Sequence, residues 1–322
     1  MSSTTSTEEE DVLPDSTVSE SGRSESEDIV STQEEEREEK EDAEEKKDPP
    51  RDEAPHAESE EMNSLASTVS SSQDSQDSSD GTIHALLPKV NCPEKIVVCL
   101  DMGKEMTSRH VSSRDGSQFS PLSLAKRVIE IFVKTKSRMD RRHQFALMVL
   151  HDTPTLVTPF THDPDVFCED LRAQEETMEC QMTFNVAQLL QEIVQLVPLP
   201  EIEEVEIIPP PYVVRVLLLY GRSHCVPSAP EDSQQMLSEL LLSPHLFLDA
   251  LYVHEPPAED NKSIEIFNAI CDLDRKCLSY VYEVATNVTM FHNHMAKLLA
   301  HPLQRPTQSD TYYKLQSSED VS

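Results

Sequence analysis

Ile96-Val97-Val98-Cys99-Leu100-Asp101-Met102-Gly103 is the stretch that decides the fold. Its first five residues are apolar without interruption and largely β-branched, and Asp-Met-Gly stops them. A strand with one wet face alternates apolar and polar side chains. An unbroken run suits a strand covered on both faces, as in a parallel sheet with helices above and below it. Three more runs of this kind follow: Phe145-Ala146-Leu147-Met148-Val149-Leu150, Val213-Val214-Arg215-Val216-Leu217-Leu218-Leu219-Tyr220, and Leu246–Val253. Residues 155–160 follow the second run after a short turn and are expected to pair with it as a hairpin. Residues 278–284 alternate more and fit a strand near an edge.

Helical patterns fill the gaps. Ser120 before Pro121 is a cap followed by a proline at the first helical position, and Asp163-Pro164 repeats the signal. Ala125, Val128, Ile129, Phe132 and Val133 line one face of the first helix. Val186, Leu189, Leu190, Ile193, Val194 and Val197 form the clearest apolar stripe, stopped by Pro198. Shorter stripes are Met236, Leu237, Leu240, Leu241; Ile264, Phe267, Ile270; and Val288, Phe291, Met295, Leu298, Leu299. Strands alternating with helices imply crossover connections. The fold class is therefore α/β: an open, mostly parallel six-stranded sheet with helices on both faces.

Charge divides the 322 residues unevenly. Residues 1–80 hold 27 acidic and 6 basic side chains, a net of −21 out of −33 for the chain. Ser, Thr, Glu, Asp, Lys and Pro dominate there, and apolar residues are too sparse to offset the entropy of ordering the chain. The expected organisation is a disordered acidic tail over 1–88, a folded domain over 89–301, and a C-terminal docking segment and tail over 302–322. So negative a surface repels phosphate backbones and anionic lipid, so neither nucleic acid nor membrane is an expected direct partner. There is no signal-peptide pattern and no apolar run of roughly 18 residues. Seven cysteines in no Cys-x-x-Cys arrangement read as reduced thiols of a cytoplasmic or nuclear protein.

In open parallel sheets, ligands bind where the strands end at their carboxyl termini. The loop to inspect is therefore Asp101-Met102-Gly103-Lys104-Glu105. The strand order and this loop resemble a von Willebrand factor A domain. More narrowly, Val90-Asn91-Cys92-Pro93-Glu94-Lys95, Pro209-Pro210-Pro211-Tyr212-Val213-Val214-Arg215 and Met295-Ala296-Lys297-Leu298-Leu299-Ala300-His301-Pro302-Leu303-Gln304-Arg305-Pro306 are similar to the von Willebrand factor A-like scaffold subunits of the BRISC and BRCA-A deubiquitinase complexes. The resemblance implies a non-catalytic adaptor with no cofactor. It implies a scaffold partner with ubiquitin-conjugating-enzyme-like folds and, indirectly, a zinc metalloprotease deubiquitinase and its pseudo-enzyme partner. It further implies cleavage of lysine-sixty-three-linked polyubiquitin by the complex, recruitment to DNA damage, and roles in DNA repair and checkpoint control. The alternatives are a divergent adaptor of another complex, a metal-dependent ligand-binding module, and a hydrolase of unrecognised type.

The resemblance also supplies a metal test. Many von Willebrand factor A domains hold Mg²⁺ through Asp-x-Ser-x-Ser, a Thr from another loop and an Asp after a later strand. Here Asp101 matches the first position, Gly103 and Glu105 replace the serines, Thr183 matches the threonine loosely, and Tyr220-Gly221 offers no Asp. The site is read as degenerate, with Asp101 a turn cap left by the fold. The metalloprotease motif joins His-x-His to a later Ser and Asp. His292-Asn293-His294 supplies the first part, but Pro302 and Arg305 stand where the others would be, so these histidines read as surface side chains. Five glycines cannot write a phosphate loop or a dinucleotide fingerprint, and no Gly-x-Ser-x-Gly occurs. Adjacent His224 and Cys225 make a poor nucleophile-base pair.

What remains is surface. Pro209-Pro210-Pro211 either fixes the entry of the following strand or docks a partner. Pro302, Leu303, Gln304, Arg305 and Pro306 read as a linear docking element whose guanidinium seeks a carboxylate, or else as a wrap against the chain's own domain. Thr32, Ser72 and Ser75 precede Gln and are expected phosphorylation sites for DNA-damage-responsive kinases.

Overall fold

The computed structural model describes residues 87–311 except 114, 115, 176, 181, 182 and 286. The expected disordered tail apart from residues 87 and 88, with Thr32, Ser72 and Ser75, and the last eleven residues lie outside the described residues.

Glu94–Asp101 (β1) is followed by a single helical turn, Glu105–Ser108 (α1), and a small hairpin of Val111–Ser112 (β2) with Gln118–Phe119 (β3). Pro121–Met139 (α2) starts as expected, with Ser120 accepting the Ser123 amide at 3.1 Å. Gln144–Leu150 (β4) and Pro154–Thr161 (β5) form the antiparallel pair. Asp163 caps Pro164–Ala173 (α3) through the Asp165 amide. Thr183–Asn185 (β6) leads into Val186–Leu196 (α4), which Asn185 caps. The second half of the chain alternates Val213–Tyr220 (β7), Val226–Ser228 (β8), Gln234–Leu242 (α5), Leu246–Val253 (β9), Ser263–Cys271 (α6), Val281–Val284 (β10) and Val288–Lys297 (α7).

The main sheet runs β10-β9-β7-β1-β4-β5, and every neighbouring pair is parallel except β4 with β5. The unbroken apolar runs become its central strands; β7 and β9 are buried at every position. Helices α2, α3 and α7 pack on one face, around Phe132, Phe167 and Phe291. Helices α4, α5 and α6 cover the other, around Leu190, Leu241 and Ile270. The chain leaves β1 toward β4 and returns on its other side at β7, so the strand order reverses at β1 and Asp101 sits at the switch point.

One stripe was displaced from its expected position. Ile264 is exposed, while Ile266 and Ile270 face the core, because α6 begins at Ser263 and is rotated relative to the 264-267-270 pattern. β10 lies at the edge, as its alternation predicted. Its open side is occupied at Val281, whose N–H donates to Oε1 of Gln308 at 2.6 Å and whose carbonyl accepts from Nε2 at 2.8 Å. A side-chain amide thus imitates one more strand residue on an edge that would otherwise be open to pairing. Among the described residues, no helix is long and apolar enough to cross a membrane.

Candidate functional site

At the carboxyl end of β1 the Asp101 side chain is fully buried. Its Oδ1 accepts the Gly103 amide at 2.9 Å, its Oδ2 accepts the Gly221 amide at 2.9 Å, and Nε of Arg222 lies 3.1 Å from both oxygens. The same guanidinium donates to the Leu150 carbonyl at 3.3 Å and to the His151 carbonyl at the end of β4. It lies over the Phe184 and Tyr220 rings as well. Burial works against its charge, and Asp101 more than compensates. The chain follows β7 with Gly221 because Met106 fills the adjoining space: a Cβ at 221 would stand 2.0 Å from the Met106 sulfur.

A magnesium ion needs oxygens at about 2.0–2.1 Å in near-octahedral array. These residues do not fit one. Both Asp101 oxygens already face a fixed positive charge, and an ion could approach only by expelling Arg222. Gly103 offers no hydroxyl. Glu105 turns its Oε2 to the Ser223 amide at 2.8 Å. Thr183 is exposed on β6, where it pairs with Val226 of β8. The structure therefore gathers Asp101, Gly103 and Glu105 around the loop after β7, and the central cation is an arginine of the chain itself. Arg109 closes the neighbouring stretch, donating to the carbonyls of Gly221 at 3.0 Å and Val253 at 3.1 Å, beyond the ends of β7 and at the end of β9. Sequence reading missed Arg222 and Arg109 because no motif places them; only the topology brings them to Asp101 and to these strand ends. Cys225 is buried, with its sulfur 3.8 Å from Nη1 of Arg222.

The opposite end of the sheet holds a larger set of buried charges. Arg215, in the middle of β7, has no exposed surface. It donates to Glu94 at 2.9 Å, to Asp249 of β9 at 2.8 Å, and to the carbonyls of Leu298 at 2.6 Å and Ala300 at 3.3 Å. Lys136 of α2 pairs with the other oxygen of Glu94. Burial alone would raise both carboxyls. Arg215 and Lys136 hold Glu94 below its ordinary value, and Arg305 and Arg215 do the same for Asp249. A charge in the middle of an apolar strand is seldom buried without a partner. Arg215 and Asp249, each interrupting such a run, were the signal from which this network could have been found.

Arg305 completes the network. Its Nη1 donates to Asp249 at 2.9 Å, its Nη2 to the other Asp249 oxygen and to the Leu278 carbonyl, and its guanidinium lies 3.9 Å from the Tyr280 ring centre. This corrects the reading of residues 302–306 as a free docking element. The guanidinium does find a carboxylate, but the carboxylate belongs to its own domain. Pro302 and Leu303 are buried too, Leu303 with Leu87, Cys92, Val213, Phe247 and Leu278, and only Gln304 and Pro306 stay exposed. The expected boundaries at 88/89 and 301/302 therefore do not separate domain from tail: Leu87 and residues 302–311 are part of the packed unit.

His301 locks the start of this segment. The Leu303 amide donates to its Nδ1 at 3.1 Å, so the ring proton sits on Nε2 and points at the Cys92 carbonyl, 3.0 Å away. Burial, only partly opposed by Glu94, pushes its pKa down to about 4. His294 is also buried rather than on the surface. It stacks on Tyr282 at 4.4 Å, and burial lowers it likewise to about 4. His292 is half-buried, with Nδ1 3.0 Å from the Val288 carbonyl.

No protein-family model matches the chain. Solved structures that align with it include the von Willebrand factor A domain of SpRpn10, at 12% identity over 67% of this chain and all of that one, with a TM-score of 0.41. A von Willebrand factor type A protein from Catenulispora acidiphila aligns at 10% identity over 66% of this chain and 43% of that one, also at 0.41. At such scores the assignment of the fold rests on the strand order and connections above. Sequence relatives are nearer. BRISC and BRCA1-A complex member 1 of Danio rerio is 39% identical over 74% of this chain, and the match spans 65% of that protein's length. The Homo sapiens protein of the same name is 40% identical over 72% of this chain and 71% of its own length. On that identity and coverage, the chain belongs to the BRISC and BRCA1-A complex member 1 family.

Proposed function

We propose that this chain is a non-catalytic subunit of complexes of the BRISC and BRCA1-A kind and works through contact alone. The observation that carries the reading is the Arg222 guanidinium on Asp101. The crevice where a sheet of this kind takes its ligand is filled by the chain's own cation, and Arg109 covers the adjacent strand ends. The family supplies the setting, since its members carry the names of two complexes. In this reading the chain holds together an assembly whose zinc metalloprotease subunit cleaves lysine-sixty-three-linked polyubiquitin. It meets that enzyme and its pseudo-enzyme partner through a scaffold subunit with ubiquitin-conjugating-enzyme-like folds. It serves recruitment to DNA damage sites, DNA repair and checkpoint control, in nucleus and cytoplasm, with Thr32, Ser72 and Ser75 as kinase targets. In this reading, of residues 302–306, the exposed Gln304 and Pro306 touch the partner.

The test is affinity purification of the tagged full chain from cells, followed by cleavage assays on lysine-sixty-three-linked chains. The expected outcome is recovery of a metalloprotease deubiquitinase with its scaffold, activity in the assembly, and none in the chain alone. Turnover by the isolated chain would overturn the proposal.

A further inference from the structure

Between α4 and β7 the chain runs for sixteen residues, 197–212, without regular structure. Loops of this length in compact domains are uncommon and are usually functional or disordered. This one is tied down near both ends and closes a turn at its tip. The Tyr212 hydroxyl donates to the Pro198 carbonyl at 2.7 Å, and Lys95 sits 4.0 Å above the Tyr212 ring. His245 lies 3.1 Å from the Pro200 carbonyl. The amides of Ile207 and Ile208 both donate to the Glu204 carbonyl, at 3.1 and 2.9 Å, which closes a turn at the tip. Pro209-Pro210-Pro211, with Pro210 buried, stiffens the return.

That turn presents two adjacent isoleucines to water. Ile207 is 72% exposed, the most of any large apolar side chain described, and Ile208 is 46% exposed. Glu201, Glu203, Glu204 and Glu206 surround them in sequence, all exposed and none in an ion pair among the described residues. Beside the turn is an open cleft lined by Pro200, Ile202, Val205, Pro244 and His245. His245 is buried, and its Nε2 has no hydrogen-bond partner among the described residues. Nothing in packing or capping requires isoleucine at these two positions, and a pair held out in one conformation loses little further entropy on binding.

We infer that the 201–208 turn is a docking knob, with Ile207 and Ile208 entering an apolar socket on another protein whose rim carries lysine or arginine. This rests on the subunit reading above: the occupant is a subunit of the proposed assembly. Charge selects it. Four unpaired carboxylates around an apolar tip attract a cationic rim and repel a second copy of this acidic chain. The isoleucines supply desolvated area, and the glutamates supply orientation and rate of encounter.

The experiment compares full-length tagged wild type, Ile207→Asp/Ile208→Asp, and a variant with Glu201, Glu203, Glu204 and Glu206 all changed to Gln. Each is co-expressed with the deubiquitinase assembly, and the recovered subunits are quantified at low and high salt. All substitutions are at exposed positions, so melting temperature should be unchanged, and it is measured as a control. The aspartate pair should lower recovery at least tenfold. The glutamine set should lower it severalfold at low salt and less at high salt. Equal recovery for all three would overturn the knob and leave the subunit reading intact. Wild type that recovers no assembly subunit would overturn both. A wild-type dimer in light scattering that the aspartate pair dissolves would make a second copy the occupant and overturn the cationic socket.

Discussion

The two ends of the sheet bury charge in different ways. At the carboxyl end one aspartate, Asp101, meets one arginine, Arg222, which the chain reaches immediately after β7. At the amino end two carboxylates, Glu94 and Asp249, meet Lys136, Arg215 and Arg305, drawn from α2, β7 and the segment beyond α7. The first arrangement fills a ligand crevice. The second ties the beginning, middle and end of the domain together. The difference also changes how the C-terminal segment is probed: Arg305→Ala would break a buried ion pair, so it cannot report on docking alone.

The largest effect should come from the amino end. Asp249→Ala leaves two buried guanidiniums short of a counter-charge, and removing one partner of such a set costs about 4 kcal/mol. Urea unfolding should show a loss of that size or no soluble protein. A loss under about 1 kcal/mol would mean that the network does not hold the segment. The carboxyl end should respond less. Arg222→Ala strands one carboxylate that still receives two backbone amides, at a cost of about 3 kcal/mol. Millimolar Mg²⁺ should leave the wild-type melting temperature unmoved. A magnesium-dependent rise in the wild type would show that the ion displaces Arg222.

The smallest effect separates the ends by pH. His301 lies beside Glu94, and it and His294 titrate near 4 when folded against 6.5 when unfolded. Between these values the unfolded chain binds protons that the folded chain does not, so stability falls as pH drops from 6.5 toward 4. From pH 7.5 to pH 5 the two shifts allow a combined loss of up to about 4 kcal/mol, about 2 per imidazole, and solvent reaching the two rings should reduce what is observed to about 2 kcal/mol. Below that window Glu94 and Asp249, held low when folded, add a further loss as they protonate. Urea midpoints across pH check this. His301→Gln should flatten part of the slope, and a flat wild-type profile would mean that neither imidazole is held neutral.

Local pattern was enough for the six strands of the main sheet and most helices, but not for the short strands β2, β3, β6 and β8. Unbroken runs such as 213–220 can be buried only between two layers, and Ser120-Pro121 and Asp163-Pro164 carry their capping chemistry in adjacent residues. The same pattern failed at 264–270, where neighbouring apolar residues allow two rotations of a short helix and packing chose one. It also pointed to Asp101 at the carboxyl end of the first strand and showed that its serine partners were missing; the strand order then made that end the switch point. Sequence could not say which group faces Asp101, because Arg222 lies 121 positions away and only the order of β1, β4 and β7 brings them together. Nor could it say whose carboxylate Arg305 would find. The need for a counter-charge is a property of the residue, whereas the identity of the partner, Asp249 across 56 positions, follows from where the tertiary fold buries both.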